Sequence, residues 1–420
     1  MAATDTVIIG AGPYGLSLAA HLNASGVPHQ IFGKPMQAWS DFMPPGMLMR
    51  SEAFASSLYA PQRGYSMKDY CAHKGIRYQP VGMHLSRETF VEYALWFQQN
   101  LVSQIRTVEV LDMHRVEGKF HFSLSDGSSL VARRAVLALG LKGFERIPMV
   151  LDRLPREYVS HSCEYGNLDW VRDKDIVIVG GGQSALGLAA LMHEVGGRIR
   201  VLARERNVTW NRTPNSTRGI LSKLLKPEGG IGQGWRAHII AEYPFLFREL
   251  RQQLRKEVVN STWGPSGAWW LRDRVVDRIE VSLGSEVRHA AVENGRVVLR
   301  VAVDNQESQI EANHVIAATG FKTDMSRHVF LSNEIVQSMS LVDGVPELTR
   351  NFETAVRGLY VIGPASAYSF GPVMRFVYGA KYAAPHVARH ISRLYRQDAQ
   401  TPLTAGCSTA TKTTINQAGR

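Results

Sequence analysis

The chain has 420 residues, 45% of them hydrophobic, and a formal net charge of +11 at pH 7. This length and composition favour two or three globular domains, each with its own core. The three cysteines, Cys71, Cys163 and Cys407, include no C-x-x-C pair. This excludes a disulfide scaffold and a metal site built on thiolates.

No apolar run is long enough to span a membrane, and a strand is predicted from about residue 6, which leaves no room for a signal peptide before it. We therefore expect a cytoplasmic protein without an integral membrane segment. The basic residues are spread along the chain, and the densest stretch, Arg248, Arg251, Arg255 and Lys256, has the near-helical spacing of a solvated face. We expect no nucleic-acid partner.

A first glycine-rich turn at residues 10–15 follows the β-branched run 6–9 and precedes the helical run 16–22. In a G-x-G-x-x-G turn the first glycine allows a tight turn, the second lets the backbone approach a pyrophosphate, and the third lets helix pack on strand. The phosphates then lie at the helix N-terminus. The candidate cofactor-binding residues of this turn are Gly10, Gly12, Pro13, Tyr14 and Gly15.

The strand at residues 27–32 ends at Gly33 and Lys34, where an acidic residue usually binds the ribose hydroxyls. Backbone groups of residues 33–35 are the alternative ribose contacts.

Further along, Asp126-Gly127 and Asn294-Gly295 predict two hairpins. Each hairpin leads to a strand that ends in glycine, at Gly140 and at Gly320, so the two halves of the chain repeat one plan.

A second glycine-rich turn at residues 180–185 follows the apolar run 175–179 and precedes the helical run 186–192. One such turn is a weak indication, but two in one chain predict two bound dinucleotides. The candidate cofactor-binding residues of this turn are Gly180, Gly182, Gln183, Ser184 and Ala185. At the end of the next strand, Arg204 stands where the adenosine ribose is recognised and Arg206 follows it; these arginines suit a 2′-phosphate and favour NADPH.

Residues 210–214, 229–235 and 263–270 hold five of the eight tryptophans, set among glycines. This region is the candidate substrate-binding segment, and both a mobile aromatic lid and a packed subdomain fit it.

Residues 358–365 predict a strand that ends at Gly363, and residues 369–380 predict a helix after it. Beyond residue 397 the chain is polar and small, which predicts a disordered tail.

The duplicated plan resembles flavoproteins in which an NAD(P)H domain is inserted into a discontinuous FAD domain. The resemblance covers residues 5–395 and implies an α/β fold with two Rossmann-type dinucleotide-binding domains, each with a small antiparallel β-meander. The FAD domain would comprise residues 1–165 and 321–396, the NAD(P)H domain with its aromatic insertion residues 166–320, and the disordered tail residues 397–420. The missing cysteine pair separates the chain from flavoprotein disulfide reductases.

Within this superfamily the chain resembles the class B flavoprotein monooxygenases, and among them the lysine and ornithine N-hydroxylases. The similar residues are Trp39, 43–51, 55–58, 90–93, Trp96 and Phe97. In such enzymes this loop passes beside the isoalloxazine ring, which makes Trp39 and Arg50 candidate cofactor contacts and Arg50, Ser51 and His161 candidate catalytic residues. Further candidate cofactor-binding residues are Gly140, Thr319, Gly320, Gly363, Phe370 and Met374.

Two family motifs are only partly present. His161 and Tyr165 match the second half of F-x-G-x-x-x-H-x-x-x-Y/W, but Pro155 and Glu157 stand at its Phe and Gly positions. Residues 318–321 match the end of the N-hydroxylase motif D-x-x-x-L/F-A-T-G-Y except that Phe321 stands at its Tyr position, and Asn313 and Ala317 replace its Asp and Leu/Phe. The sequence lies between the named subfamilies.

The resemblance implies that NADPH reduces FAD, that reduced flavin and O2 give a C4a-hydroperoxide, and that one oxygen atom passes to a small polar nitrogen compound by N-hydroxylation. Alternatives that keep the cofactors are C-hydroxylation of a nitrogen heteroaromatic such as urate, S-oxygenation and Baeyer-Villiger oxidation. Alternatives from other classes are a flavin-linked NAD(P)H reductase without oxygen transfer and a nucleotide-sensing protein. The oligomeric state stays open, with a homo-oligomer among the options.

Overall fold

The structure is a computed structural model that describes residues 2–103, 105–213, 219, 224–262, 264–304 and 306–400. Its strands are β1 (Ala2–Ile9), β2 (His29–Phe32), β3 (Ile105–Arg106), β4 (Val110–Val116), β5 (Lys119–Leu124), β6 (Ser129–Leu137), β7 (Val159–His161), β8 (Asp175–Val179), β9 (Arg198–Leu202), β10 (Glu228–Gly229), β11 (Gly232–Gln233), β12 (Glu280–Ser282), β13 (Ser285–Glu293), β14 (Arg296–Val303), β15 (Gln306–Ala312), β16 (His314–Ala317), β17 (Leu341–Val342), β18 (Val345–Pro346) and β19 (Leu359–Val361). Its α-helices are α1 (Pro13–Ala24), α2 (Gln37–Ser40), α3 (Met67–Lys74), α4 (Arg87–Leu101), α5 (Met149–Asp152), α6 (Gln183–Glu194), α7 (Trp235–Glu242), α8 (Pro244–Arg248), α9 (Gln252–Ser261), α10 (Arg272–Val275), α11 (Asn333–Ser338), α12 (Ala367–Phe370) and α13 (Ala380–Gln400).

The first glycine-rich turn connects β1 to α1 in the centre of a sheet with strand order β3-β2-β1-β6-β5-β4. Strands β1, β2, β3, β6 and β19 run parallel, while β4 and β5 extend the sheet as an antiparallel meander. Strand β6 changes partner along its length, because residues 129–132 pair with β5 and residues 135–137 pair with β19. Val7 and Ile8 of β1 have no exposed surface, as expected for a central parallel strand covered on both faces.

The second glycine-rich turn connects β8 to α6 in a parallel sheet with strand order β12-β9-β8-β16-β7. A separate antiparallel sheet of β13, β14 and β15 forms the second meander. Both predicted hairpins are present. Gly127 has φ 78° between β5 and β6, and Asn294 and Gly295 both have positive φ, 50° and 75°, between β13 and β14. The predicted α/β class with two Rossmann-type modules and two meanders is confirmed.

The strands place two limits differently from the sequence-based domain boundaries. Strand β7 lies in the second sheet although residue 166 was the predicted start of that domain, so we propose that the second module begins near residue 159. Helix α13 runs to Gln400, past the predicted end of the FAD domain at residue 396. The rest of the predicted disordered tail, residues 401–420, lies outside the described residues.

The basic stretch of α8 and α9 is not the predicted solvated face. Arg248 donates to the carbonyl oxygen of Leu348 at 3.0 Å, Arg255 pairs with Glu347 at 3.9 Å, and Lys256 pairs with Asp343. The prediction is wrong because residues 343–348 bring a carbonyl and two carboxylates against this face. Only Arg251 of the four cations is exposed.

The last helix is tied to the first sheet by a buried ion pair. Arg134, 6% exposed, donates to Asp5 at 2.5 Å and also pairs with Asp398 of α13.

In the described part of the chain the free cysteines Cys71 and Cys163 are both buried. Within the same residues, no helix is long and apolar enough to cross a membrane. The third cysteine, Cys407, is outside the described residues.

Burial lowers the pKa of seven histidines: His21, His29, His161, His314, His328, His386 and His390. For His21, burial and the nearby Arg389 lower the pKa to about 4. A histidine whose pKa is lower in the folded state takes up protons on unfolding, so the free energy of unfolding falls as the pH drops below about 6.5.

We expect the melting temperature to fall between pH 7 and pH 5, because each such histidine removes up to about 1.4 kcal/mol of stability per pH unit below 6.5. Thermal unfolding followed at several pH values measures this. His21→Gln, which removes one of these groups, is expected to flatten the dependence. A melting temperature that stays constant from pH 7 to pH 5 would contradict the assignment of these histidines as buried and neutral.

Candidate active site

In the first turn, Gly10 and Gly15 are tightly packed against backbone, whereas the space beside Gly12 is open. Gly10 has φ +111°, and a Cβ there would lie 2.3 Å from the carbonyl oxygen of Ala138; a Cβ on Gly15 would lie 1.9 Å from the carbonyl oxygen of Gly10. Gly12 has an ordinary φ of −86°, and no heavy atom lies within 4 Å of its Cβ position. The space beside Gly12, at the N-terminus of α1, therefore fits a diphosphate.

The end of β2 lies against this turn through backbone groups. Gly33 has φ +118°, and its Cβ position lies 3.6 Å from the backbone nitrogen of Ala11. The N–H of Met36 donates to the carbonyl oxygen of Ala11 at 3.0 Å. The Lys34 ammonium is held by Asp41 at 2.7 Å. The geometry agrees with a ribose contact made by backbone, which remains a prediction.

The second turn repeats the close backbone approach but is covered. Gly180 has φ +143°, and a Cβ there would lie 2.4 Å from the carbonyl oxygen of Ala318. The Cβ position of Gly182 lies 3.7 Å from Cα of Pro265, and the Gln183 side chain accepts a hydrogen bond from the N–H of Ala268 at 2.8 Å. We use nucleotide cradle for the space at each glycine-rich turn beside the N-terminus of the following helix. The segment 264–268 thus forms a wall over the second cradle, at the N-terminus of α6. Ser184 is exposed and Ala185 is fully buried against the sheet.

The covering segment is fixed by its neighbours. The N–H of Gly267 donates to Thr209 and the N–H of Asn211 donates to Gly267, both at 2.8 Å. A Cβ on Gly267 would lie 2.5 Å from the Trp210 ring. Glycine is therefore required for the ring to pack here.

Arg50 connects the loop of the first module to this wall. Its guanidinium donates to Ser266 Oγ at 2.7 Å and lies 3.3 Å from the Asn211 side-chain oxygen. Burial lowers the pKa of Arg50, and among the described residues no carboxylate pairs with it. A partly buried cation with only neutral partners, at the junction of the two modules, is suited to an anionic ligand group.

Trp39, in α2, and Ser51, next to Arg50, are both partly exposed. The Trp39 ring meets Phe90 edge-on with centroids 4.8 Å apart. The Ser51 hydroxyl shares a hydrogen bond of 2.9 Å with Ser56. Both keep surface that a ligand can contact, so they remain candidates.

His161, a candidate catalytic residue, is buried between two segments of the chain. Its side chain has no exposed surface, its Nε2 bonds the carbonyl oxygen of Gly320 at 3.0 Å, and its Nδ1 lies 3.1 Å from Cys163 Sγ. Burial lowers the pKa of His161, which keeps the ring neutral near pH 7. Both ring nitrogens are thus engaged by Cys163 and Gly320, which favours a structural role, and the catalytic role of His161 stays a prediction.

The two segments that connect the modules are also joined by hydrogen bonds beside the predicted Gly320. The Thr319 hydroxyl donates to the carbonyl oxygen of Arg146, and the Arg146 N–H donates to Gly320 at 3.0 Å. Gly140 and Gly320 have φ of +66° and +79°, with no heavy atom within 4 Å of either Cβ position. Both glycines therefore keep an open face where their strands end.

Three residues predicted to contact a cofactor have side chains packed in the core. Phe370 has no exposed surface and stacks on Phe352 with centroids 3.7 Å apart; Met374 is also fully buried. The Tyr14 hydroxyl donates to the carbonyl oxygens of Met374 and Phe376, at 2.9 and 2.8 Å. The side chains of Phe370 and Met374 thus pack in the core and Tyr14 holds α1 against residues 374–376, so a cofactor contact at these positions, which would be made by the backbone, stays a prediction.

The predicted helix at residues 369–380 is also absent as one element. Its place is taken by the end of α12 and by the short turns Pro372–Arg375 and Val377–Gly379. Gly371, with φ +92°, and Pro372 interrupt the helix. Gly363, with φ +83°, precedes the turn Pro364–Ser366, and its Cβ position lies 3.5 Å from the Tyr14 ring.

At the adenosine end of the second cradle, Arg204 and Arg206 are both exposed, and Arg206 pairs with Asp304 at 2.9 Å on the surface. Sequence reasoning missed Glu205, whose carboxylate oxygen lies 3.1 Å from the Cβ position of Gly181. The signal in the sequence was an acidic residue close to the strand end. The neighbouring Arg204 and Arg206 led instead to the prediction of a site for a 2′-phosphate.

The described part of the aromatic-rich insertion is packed rather than detached. Gly230 lies under the Tyr378 ring, where a Cβ would come within 2.0 Å, and Glu242 binds both Tyr378 and, at 2.7 Å, Lys381. Trp269 and Trp270 lie beside His84, with centroids 5.0 and 5.4 Å away. Pro214 and Trp263, which the sequence analysis included here, are outside the described residues.

The chain forms two Rossmann modules, each with a glycine-rich turn at a helix N-terminus, which is the architecture of dinucleotide-binding proteins. The chain belongs to the L-lysine 6-monooxygenase/L-ornithine 5-monooxygenase family, which matches residues 2–214. The resemblance read from the sequence is thereby confirmed.

Other relatives agree with this membership. The probable indole-3-pyruvate monooxygenase YUCCA10 of Arabidopsis thaliana is 26% identical over 216 residues, 48% of this chain and 52% of the plant protein. The chain thus spans about half the length of that curated relative.

Solved structures share the fold over almost the whole chain. The ornithine N-hydroxylase of Kutzneria sp. 744, determined with reduced FAD, NADP+ and L-ornithine, has a TM-score of 0.75 at 17% identity and covers 94% of this chain and 100% of that one. The FAD-bound cadaverine monooxygenase of desferrioxamine biosynthesis from Erwinia amylovora has a TM-score of 0.70 at 18% identity, covering 93% and 95%. At these identities the likeness establishes the fold.

We expect Gly12→Ala to fold like the wild type and to lose the FAD assigned to this turn. The backbone at Gly12 suits any residue and its Cβ position is open, but the new methyl group enters the space that the pyrophosphate needs. A cost of about 1–3 kcal/mol, or about 5- to 150-fold in FAD affinity, is expected. FAD absorbance per protein and thermal unfolding measure the two effects.

Gly10→Ala is the matched control, because the same methyl group would there meet the carbonyl oxygen of Ala138 at 2.3 Å. It is expected to lower the melting temperature. Full FAD content in folded Gly12→Ala would rule out this cradle as the FAD site.

Proposed function

We propose that the chain is an FAD-dependent monooxygenase that uses NADPH and O2 to N-hydroxylate a small primary amine. The reaction balances as amine, NADPH, a proton and O2 giving hydroxylamine, NADP+ and water. Membership of the lysine/ornithine monooxygenase family is the observation that carries this proposal. The two cradles of the fold supply the required binding sites.

FAD fits the first cradle. The open space at Gly12 would take its pyrophosphate at the N-terminus of α1, and backbone near Gly33 would hold its adenosine ribose. Trp39 and Arg50, which keep accessible surface, would contact the flavin end. When bound, FAD supplies the redox chemistry that activates dioxygen.

NADPH fits the second cradle, with its pyrophosphate near Gly180 and Gly182 and its 2′-phosphate within reach of the exposed Arg204. The wall formed by residues 264–268 would close over the nucleotide. The role of this wall would be to exclude water and to orient the nicotinamide.

Arg50 would link the two nucleotides. Its guanidinium holds Ser266 in the wall of the second cradle while its backbone belongs to the loop of the first module. A positive charge at this junction would stabilise negative charge on the reduced flavin and fix the distance between hydride donor and acceptor.

The substrate class is proposed from the family and its structural neighbours, which act on ornithine and cadaverine according to their descriptions. A primary amine in its neutral form is a nucleophile that takes an electrophilic oxygen atom. No specific observation favours carbon, sulfur or ketone oxygenation. Location in the cytoplasm and assembly as a homo-oligomer stay predictions.

The function is tested by measuring NADPH oxidation, O2 uptake and hydroxylamine formation with lysine, ornithine, cadaverine and other small amines. We expect at least one amine to give hydroxylamine in proportion to NADPH consumed. NADPH oxidation that proceeds with a quinone, without hydroxylamine from any amine, would instead support the flavin-linked reductase.

Arg50→Met is expected to slow reduction of the bound flavin by NADPH about tenfold or more, because hydrogen bonds from a charged group in a partly buried site are lost. Stopped-flow absorbance of the flavin measures the rate. Arg63→Met, at an exposed position of the same module, is the matched control. An unchanged rate in Arg50→Met would remove Arg50 from the active site.

A further inference from the structure

The second cradle contains an acidic side chain directed at its turn. Glu205 is partly buried, and one of its carboxylate oxygens lies 3.1 Å from the position a Cβ would take on Gly181, the residue between the two fingerprint glycines. Its backbone is fixed, since the carbonyl oxygen of Glu205 accepts a hydrogen bond from the N–H of Gly284 at 3.0 Å. Among the described residues, no donor satisfies the Glu205 carboxylate.

This position has a defined meaning in a Rossmann module. The turn between the first strand and helix and the end of the second strand together enclose the adenosine ribose, and an acidic residue at the strand end binds the ribose hydroxyls. Glu205 comes three residues after β9, and its carboxylate faces the turn.

The two arginines beside Glu205 are placed less favourably. Arg206 forms an ion pair with Asp304 at 2.9 Å, and that pair must be broken or shared before Arg206 can bind a phosphate. Arg204 is exposed, so its contribution to affinity is screened by solvent. A 2′-phosphate at this end therefore meets two exposed cations, one of them already paired with Asp304, and one nearby carboxylate.

We propose that Glu205 sets the nucleotide preference, accepting a hydrogen bond from the 2′-hydroxyl of the adenosine ribose and opposing a 2′-phosphate, so that NADH serves alongside NADPH. This inference rests on the proposed function for the nucleotide site itself. Arg204 retains NADPH binding by attracting its phosphate, and Glu205 offsets that advantage. The preference is then the balance of two neighbouring side chains of opposite charge.

Equilibrium titration of the FAD-loaded protein with NAD+ and NADP+, followed by calorimetry, tests this without turnover. We expect the two dissociation constants of the wild type to lie within about tenfold of each other. In Glu205→Gln, which keeps the shape and removes the charge, we expect weaker NAD+ binding, tighter NADP+ binding and a ratio shifted toward NADP+ by about tenfold or more. Arg204→Ala is expected to weaken NADP+ alone.

Glu286→Gln is the matched control, because it makes the same charge change at a residue of the second meander that pairs with Arg288. It is expected to leave the ratio unchanged. A ratio unaltered by Glu205→Gln, or equal weakening of both nucleotides, would overturn the role of Glu205 while leaving the monooxygenase proposal intact. Failure of the wild type to bind either nucleotide would overturn the nucleotide site of the proposed function, and the inference with it.

Discussion

The architecture depends on two close approaches between backbone segments. At Gly10 the chain passes so near the carbonyl oxygen of Ala138, and at Gly180 so near that of Ala318, that a Cβ at either glycine would lie within 2.4 Å of the oxygen. Each approach brings a helix N-terminus to the carboxyl edge of a parallel sheet. Both nucleotide cradles follow from that single steric condition, because the helix dipole and free N–H groups then face one point.

The two cradles differ in what lies in front of them. The first is open beside Gly12, whereas the second is covered by Pro265 and connected through Ser266 to Arg50 of the other module. The contact between Arg50 and the cover also gives the two sites a direct physical connection.

Local features of the fold were predictable from sequence. Glycine spacing, strand composition and the Asn294-Gly295 turn depend on neighbours in the chain, and they identified both Rossmann modules and both meanders. Features that depend on residues distant in the chain could not be predicted from the sequence. His161 and Phe370 are buried by Gly320 and Phe352, and the cations of α9 are paired by residues 343–347, none of them near in sequence. Glu205 was overlooked because its orientation toward Gly181 exists only in the folded chain.

The proposed transfer of one oxygen atom from O2 to an amine is tested most directly by isotope labelling. The enzyme, loaded with FAD, is supplied with NADPH, an accepted amine and 18O2, and the product is examined by mass spectrometry. We expect a hydroxylamine that carries 18O. A product without the label, or NADPH consumption that yields only hydrogen peroxide or reduced quinone with every amine, would contradict it.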